Sequence, residues 1–349
     1  MNAPRLDRPL RAPQALRRAA PLHAEAALPA VFAREQQLYA RSPEAGLYAL
    51  EDGHLDRFGS CRDRWGRHVG WNARALPHGA RDTATPWNPG VWLAPARREG
   101  GAVAGLTHPE QQVYFHWLFD VLPRLALLED AGMPFDAVYL EQSQPFQRGS
   151  WALLGVDAPV IDAASAPRLR AARLLVPSAP GTSGVMPPWV CDWLRARFAL
   201  AARAGHAAKR LYISRRHAAR GRVRNEDEIE RVLQRHGFAT VHAETLSFAQ
   251  QLALFAGAEA VVGPHGAGLS NLVFAPPGCR VLELFAPGCI NVCYWTLCCQ
   301  VGLPYAFLLG ADAPGAGGPA RPDILVDAAK LERLLARVLD QPIDAAACA

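Results

Sequence analysis

The chain has 349 residues, half of them apolar, which is enough for one large or two medium domains with a substantial core. Its 37 basic and 32 acidic residues leave a net charge of +5. So mild an excess suits an acidic small ligand and does not mark a nucleic-acid binder, and no stretch of bilayer-spanning length is clear of charges and turn breakers.

Taken in order, residues 1–30 read as a flexible basic segment. They lack the continuous apolar stretch of a secretory signal, so the protein is expected in the cytoplasm, with peripheral association at the inner face of a membrane as an option for the basic tail. Residues 31–205 are read as a first α/β domain. Short strands at 46–50 and 90–93 are joined by loops, and 114–125 carries the 3–4 apolar spacing of a helix through Phe115, Leu118, Leu122 and Leu125. His116 and Asp120 stand four apart on that helix, one turn along the same face. A carboxylate so placed fixes an imidazole's tautomer and raises its basicity, as a general base requires; the same pairing also serves a buried structural histidine. Strands at 137–140, 159–162 and 173–176, a helix at 146–154 and a helix at 187–204 complete the domain.

Residues 206–349 alternate more clearly. Strands are expected at 210–214, 239–243, 260–262, 280–285, 305–309 and 323–326. Helices start at Asn225, with Glu228 as capping-box partner, and at Ser247 with Gln250; others cover 291–301 and 328–340. Strands alternating with helices imply a parallel, doubly wound sheet. The eight cysteines include a local group, Cys289, Cys293, Cys298 and Cys299, without paired C-x-x-C spacing; they read as reduced thiols of a helix, not as a metal site.

The stretch Ala260 to Asn271 is a buried strand, a glycine turn and a helix start. Gly266 and Gly268 remove side chains where a ligand would approach, and the backbone N–H groups of Ala267 and its neighbours face an anion beyond the strand. It matches neither the Walker loop nor the G-x-G-x-x-G fingerprint. In such sheets ligands bind past the carboxyl ends of the strands. That rule gathers Ser214, Arg215 and Arg216 after one strand, Glu244 after the next and His265 after the third. The arginines suit a diphosphate and the glutamate a ribose hydroxyl.

The combination of Tyr114-Phe115-His116-Trp117, Ile213-Ser214-Arg215-Arg216, Arg224-Asn225-Glu226, Glu244 with Gln251, and Gly263 through Asn271 to Glu283 resembles glycosyltransferase family 61 over about residues 105–290. The resemblance implies a GT-B-like architecture, two Rossmann-like domains with parallel sheets facing a cleft. It implies an inverting, metal-independent transfer of sugar from a nucleotide-sugar, expected to be UDP-linked, to an oligosaccharide, polysaccharide or lipid-linked acceptor in bacterial capsule or other surface polysaccharide synthesis. No cofactor and no nucleic acid are expected. The C-terminal domain would hold the donor through Ser214, Arg215, Arg216, Glu244, His265, Gly266, Ala267, Gly268, Asn271 and Glu283, and His116 with Asp120 would supply the base. A GT-B sugar-nucleotide epimerase, a nicotinamide or flavin oxidoreductase, and a non-catalytic nucleotide-sugar-binding protein are the alternatives. The epimerase would need catalytic carboxylates in the cleft and no acceptor, the oxidoreductase would need the dinucleotide fingerprint that is missing, and no feature of the sequence excludes the non-catalytic protein.

Overall fold

The computed structural model describes residues 7–22, 28–69, 91, 93–202, 208–313 and 322–340. The chain is a mixed α/β protein that divides into two compact units, residues 1–15 with 41–194, and residues 16–40 with 195–349. The division falls inside the helix Pro188–Ala202; the boundary expected at 205/206 lies outside the described residues. None of the described helices is long and apolar enough to cross a membrane.

In the first unit the strands β1 (Arg8–Arg11), β2 (Ala45–Asp56), β3 (Cys61–Arg62), β4 (His68–Val69), β5 (Arg97–Gly105), β6 (Ala137–Leu140), β7 (Val160–Asp162) and β8 (Arg168–Pro177) form one sheet, ordered β4-β3-β2-β8-β5-β6-β7 with β1 on β2. The sheet is mixed. β8, β5, β6 and β7 pair in parallel, while β2 runs antiparallel to β8 and to β3. Only residues 57–60 join β2 to β3, too few for the crossover that a parallel pair needs, so this half cannot be doubly wound. The strand expected at 90–93 lies partly outside the described residues; Val91 and Leu93 are helical. Tyr48, Leu55, Val103, Tyr139, Ile161, Leu169, Leu174 and Val176 build the core over this sheet.

The second unit carries a five-stranded parallel sheet of β9 (Arg210–Ile213), β10 (Phe238–Val241), β11 (Ala260–Pro264), β12 (Arg280–Phe285) and β13 (Tyr305–Leu309), in the order β10-β9-β11-β12-β13. The chain steps from β9 outward to β10, then returns to the other side of β9 to lay down β11. The winding therefore reverses between β9 and β11. The helices Glu226–Arg235 and Ala328–Asp340 pack on the sheet. The second does so with Leu331, Leu334, Leu335 and Val338, the i, i+3, i+4, i+7 stripe of an amphipathic helix.

Three segments differ from what the sequence pattern suggests. The strand at 323–326 is not part of the main sheet. As β15 (Asp323–Leu325) it pairs antiparallel with β14 (Ala311–Ala313), because buried Asp323 is bound by the backbone and guanidinium of Arg222 and so ties this strand to loop 222–224. Asn225 makes no side-chain cap; its amide clamps Glu228 and the backbone of Val326 instead. Nor are residues 7–22 a loose tail. Arg8–Arg11 is a strand, and Leu22 N–H donates to the Tyr305 carbonyl on the edge strand β13 at 2.7 Å. Gln300 brackets the backbone of Arg17, Trp295 Nε1 donates to Ala19 O, and Phe32 stacks on Phe307. Residues 16–22 thus cover part of an edge that would otherwise expose unpaired backbone groups.

Candidate functional site

The winding reverses between β9 and β11, and past the carboxyl ends of the strands at such a point is where open parallel sheets bind ligands. Ser214 and Arg215 leave β9 there, and His265 and Gly266 leave β11. Ser214 is buried and donates to Glu226 at 2.7 Å, and Tyr212 donates to the same carboxylate oxygen at 2.8 Å. Glu226 therefore anchors the end of β9. Arg216 turns the same way. Its guanidinium meets Asp227 at 2.6 Å, Glu230 at 3.3 Å and Glu226 at 3.5 Å. Arg215 goes the other way: its Nε and Nη2 donate to the carbonyls of Gly221 and Arg220, and its side chain lies against Gly266.

That contact explains the glycine. A Cβ added at Gly266 would stand 2.8 Å from Arg215 Cζ and 2.9 Å from its Cδ. At Gly268 a Cβ would meet Ile213 Cγ2 at 3.1 Å, and at Gly263 the Ile213 carbonyl at 3.2 Å. The sequence suggests open space for a ligand beside Gly266 and Gly268; protein side chains take that space. The glycines let β9 and the Arg215 side chain close on the turn. The segment Ala267–Phe274 is a 3-10 helix, closed by Leu269 N–H on Gly266 O at 3.0 Å, and the amides of Ala267 and Gly268 precede that bond.

Behind the turn, His265 Nδ1 lies 2.6 Å from Glu283 Oε1, and Tyr305 O–H donates to Glu283 Oε2 at 2.6 Å. Glu283 has no exposed surface, so it is a support for His265 and not a group that meets a ligand directly. Burial, and then the adjacent Glu283, push the Tyr305 hydroxyl well above its ordinary value, which keeps it protonated as the donor. The His265 ring also stacks on Phe285, centroids 5.7 Å apart. Its backbone and side chain are both fixed, since His265 N–H donates to Leu284 O.

Asn271, likewise fully buried, donates to Gln251 Oε1 at 2.8 Å. Gln251 Nε2 in turn donates to the carbonyls of Ala243 and Leu246. This relay holds the turn Ala243–Thr245, which carries Glu244 past the end of β10. Glu244 itself is half-exposed and 3.1 Å from His217 Nδ1.

In the first unit the helix expected over 114–125 is broken into Tyr114–His116, a π-helical turn Trp117–Val121 and a helix Arg124–Ala131. Pro123 explains the break: it has no N–H for the α-helical ladder, and the Leu122 N–H bonds to Trp117 O, five residues back. The widened turn brings His116 Nδ1 to 2.7 Å from Asp120 Oδ2. Ser183 donates to the same carboxylate oxygen at 3.0 Å. The other ring nitrogen, Nε2, is 2.5 Å from Glu110 Oε2. Burial works against a charged His116, but the hydrogen bonds to Asp120 and Glu110 outweigh it and push the ring up to about 10. Asp120 is buried, which raises its carboxyl, yet the hydrogen bond from His116 holds it below the ordinary value. His108, stacked on His116 at 5.6 Å, is pushed down to about 3, chiefly by burial, and stays neutral. His116 is thus an imidazolium between two carboxylates, not a ring poised near neutrality.

Glu110, Ser183, Glu226 and Tyr305 escape a reading of the sequence. Ser183 and Tyr305 join their partners from remote loops and strands. Glu110 sits six residues before His116, a spacing with no helical meaning. Glu226 stands inside a motif but faces the strand end, not the ligand side.

The model of the glycosyltransferase 61 family matches residues 114–282. The match starts two residues before His116, takes in the π-helical turn, the β9 end and the whole glycine turn, and stops one residue short of Glu283. No curated protein matches the chain.

Proposed function

We propose that this chain, whose residues 114–282 match the glycosyltransferase 61 family, moves a sugar from a UDP-linked donor to a saccharide or lipid-linked acceptor, with inversion, in surface polysaccharide synthesis. The observation that carries the donor site is the winding reversal between β9 and β11, with Arg215 and His265 at its two lips. A guanidinium and the amides of Ala267 and Gly268 suit a diphosphate leaving group and stabilise the charge it gains. In this reading the two units are the two halves of a GT-B enzyme, the second holding the donor.

The chemistry is a single displacement. The acceptor oxygen forms its bond to the anomeric carbon as the bond from that carbon to the phosphate oxygen breaks, and the diphosphate leaves with the electron pair. The acceptor's proton goes to the His116 site. For that, Nε2 must be vacated by Glu110, whose side chain is half-exposed, and the ring must give up its proton while Asp120 and Ser183 keep it oriented. Nucleotide release from a panel of UDP-, GDP- and CMP-sugars, with and without saccharide acceptors, tests this. Release that depends on acceptor supports a transferase. Donor conversion without acceptor would mark an epimerase, and binding without any turnover a non-catalytic protein.

A further inference from the structure

Past the end of β10, next to the donor-site lip, stand three groups that the reading above leaves without a joint task. His217 lies in the loop after β9. His242 and Glu244 flank Ala243 at the end of β10. One ligand atom from each of the three lies within 4.8 Å of the others. The rings of His217 and His242 stack, centroids 4.8 Å apart at 27°. His242 Nδ1 is enclosed and has no hydrogen-bond partner among the described residues. A ring nitrogen shut away from water calls for an occupant.

We propose that His217, His242 and Glu244 form a binding site for a divalent cation of the zinc class. Two imidazoles and one carboxylate are the ligand set that zinc takes when three protein groups hold it and a fourth position stays open. Bonds of about 2.0–2.1 Å would bring tetrahedral ligand atoms to roughly 3.3 Å from one another. The remaining gap closes by side-chain rotation, since the His217 and Glu244 side chains are 58% and 49% exposed. The backbone beneath them is held. Thr245 donates to the His242 carbonyl through both N–H and Oγ1, at 3.0 and 2.8 Å, and Gln251 ties Ala243 from below. A fixed scaffold under adjustable ligands favours a site that closes on its ion. The site stands on these three side chains alone and not on the identity of the donor, and it departs from the metal-free expectation drawn from the family resemblance.

The test uses the full chain, stripped of metal, titrated with Co²⁺ alone and then with Zn²⁺, with no nucleotide present. The wild type should take up one equivalent of Co²⁺ and show the strong visible bands of a low-coordinate nitrogen and oxygen site, which Zn²⁺ then displaces. His217→Ala and Glu244→Gln change exposed side chains and should leave the metal-free melting temperature in place while losing the bands; His242→Ala should lose them as well. Absence of stoichiometric uptake by the wild type would overturn the proposal. So would an unchanged spectrum in the variants, or a sulfur-to-cobalt charge-transfer band, which would place the ion on cysteines such as Cys289 and Cys299 instead.

Discussion

Arg215 and Gly266 are fitted to each other: the guanidinium occupies the place where any larger residue at 266 would carry its Cβ. The pair joins the ends of β9 and β11 at the point where the winding reverses. Gly266→Ala should therefore act through Arg215. It should lower nucleotide affinity as Arg215→Ala does, by the roughly tenfold or more that follows from losing a charge-assisted bond of about 1.5–3 kcal/mol. Arg216→Ala should cost less, because that guanidinium is held by Asp227, Glu230 and Glu226. Calorimetric titration of the three variants with UDP ranks them; a larger loss in Arg216→Ala would reverse the assignment of the two arginines.

Tyr305→Phe removes one donor from a fully buried carboxylate. A hydrogen bond to a charged group contributes about 1.5–3 kcal/mol, and the stranded oxygen finds no water. Urea unfolding should show a loss of that order. Donor affinity should fall with it, since Glu283 orients His265 from the other side. Full stability in Tyr305→Phe would mean that Glu283 does not depend on this bond.

The clamp on His116 sets a pH dependence that differs from that of a free imidazole. If His116 accepts the acceptor's proton, turnover should rise with pH on a limb displaced from the ordinary 6.5 toward 10. Glu110→Gln removes one of the two carboxylates and should move that limb to lower pH. His116→Ala should lower turnover by about 10²–10⁴ with donor affinity unchanged. A limb that stays in place in Glu110→Gln would show that Glu110 does not hold the ring during turnover.

The same clamp links protonation to stability. The folded ring titrates above its unfolded value, so its contribution is complete below about pH 6.5 and is lost as pH rises through about 10. Thermal melts across this window should therefore converge for wild type and His116→Gln at the alkaline end. Parallel curves would contradict the shift.

Much of the second unit was legible because its signals are local. β-branched runs ended by Gly or Pro mark β11, and the Ser247 and Gln250 capping box starts its helix as the spacing predicts. The strand-end rule then placed Arg215 and His265 without knowledge of the pairing. What stayed hidden depends on partners distant in the chain. Glu226 fixes Ser214 across 12 residues, Tyr305 holds Glu283 across 22, and Ser183 reaches Asp120 across 63. The π-helical turn was hidden for another reason: the apolar spacing of 114–125 fits an α-helix, and Pro123 breaks the ladder without disturbing that spacing. In the first unit the parallel half was visible as alternating elements, whereas the antiparallel half rests on a four-residue connection that carries no periodicity.

The central claim, that a nucleotide-sugar binds where β9 and β11 part, is tested most directly by melting the protein with UDP, GDP, CMP and their sugars in wild type and Arg215→Ala. UDP or a UDP-sugar should raise the wild-type melting temperature, and Arg215→Ala, folded as well as the wild type, should lose most of that rise. Stabilisation by none of these nucleotides, or an equal rise in Arg215→Ala, would contradict it.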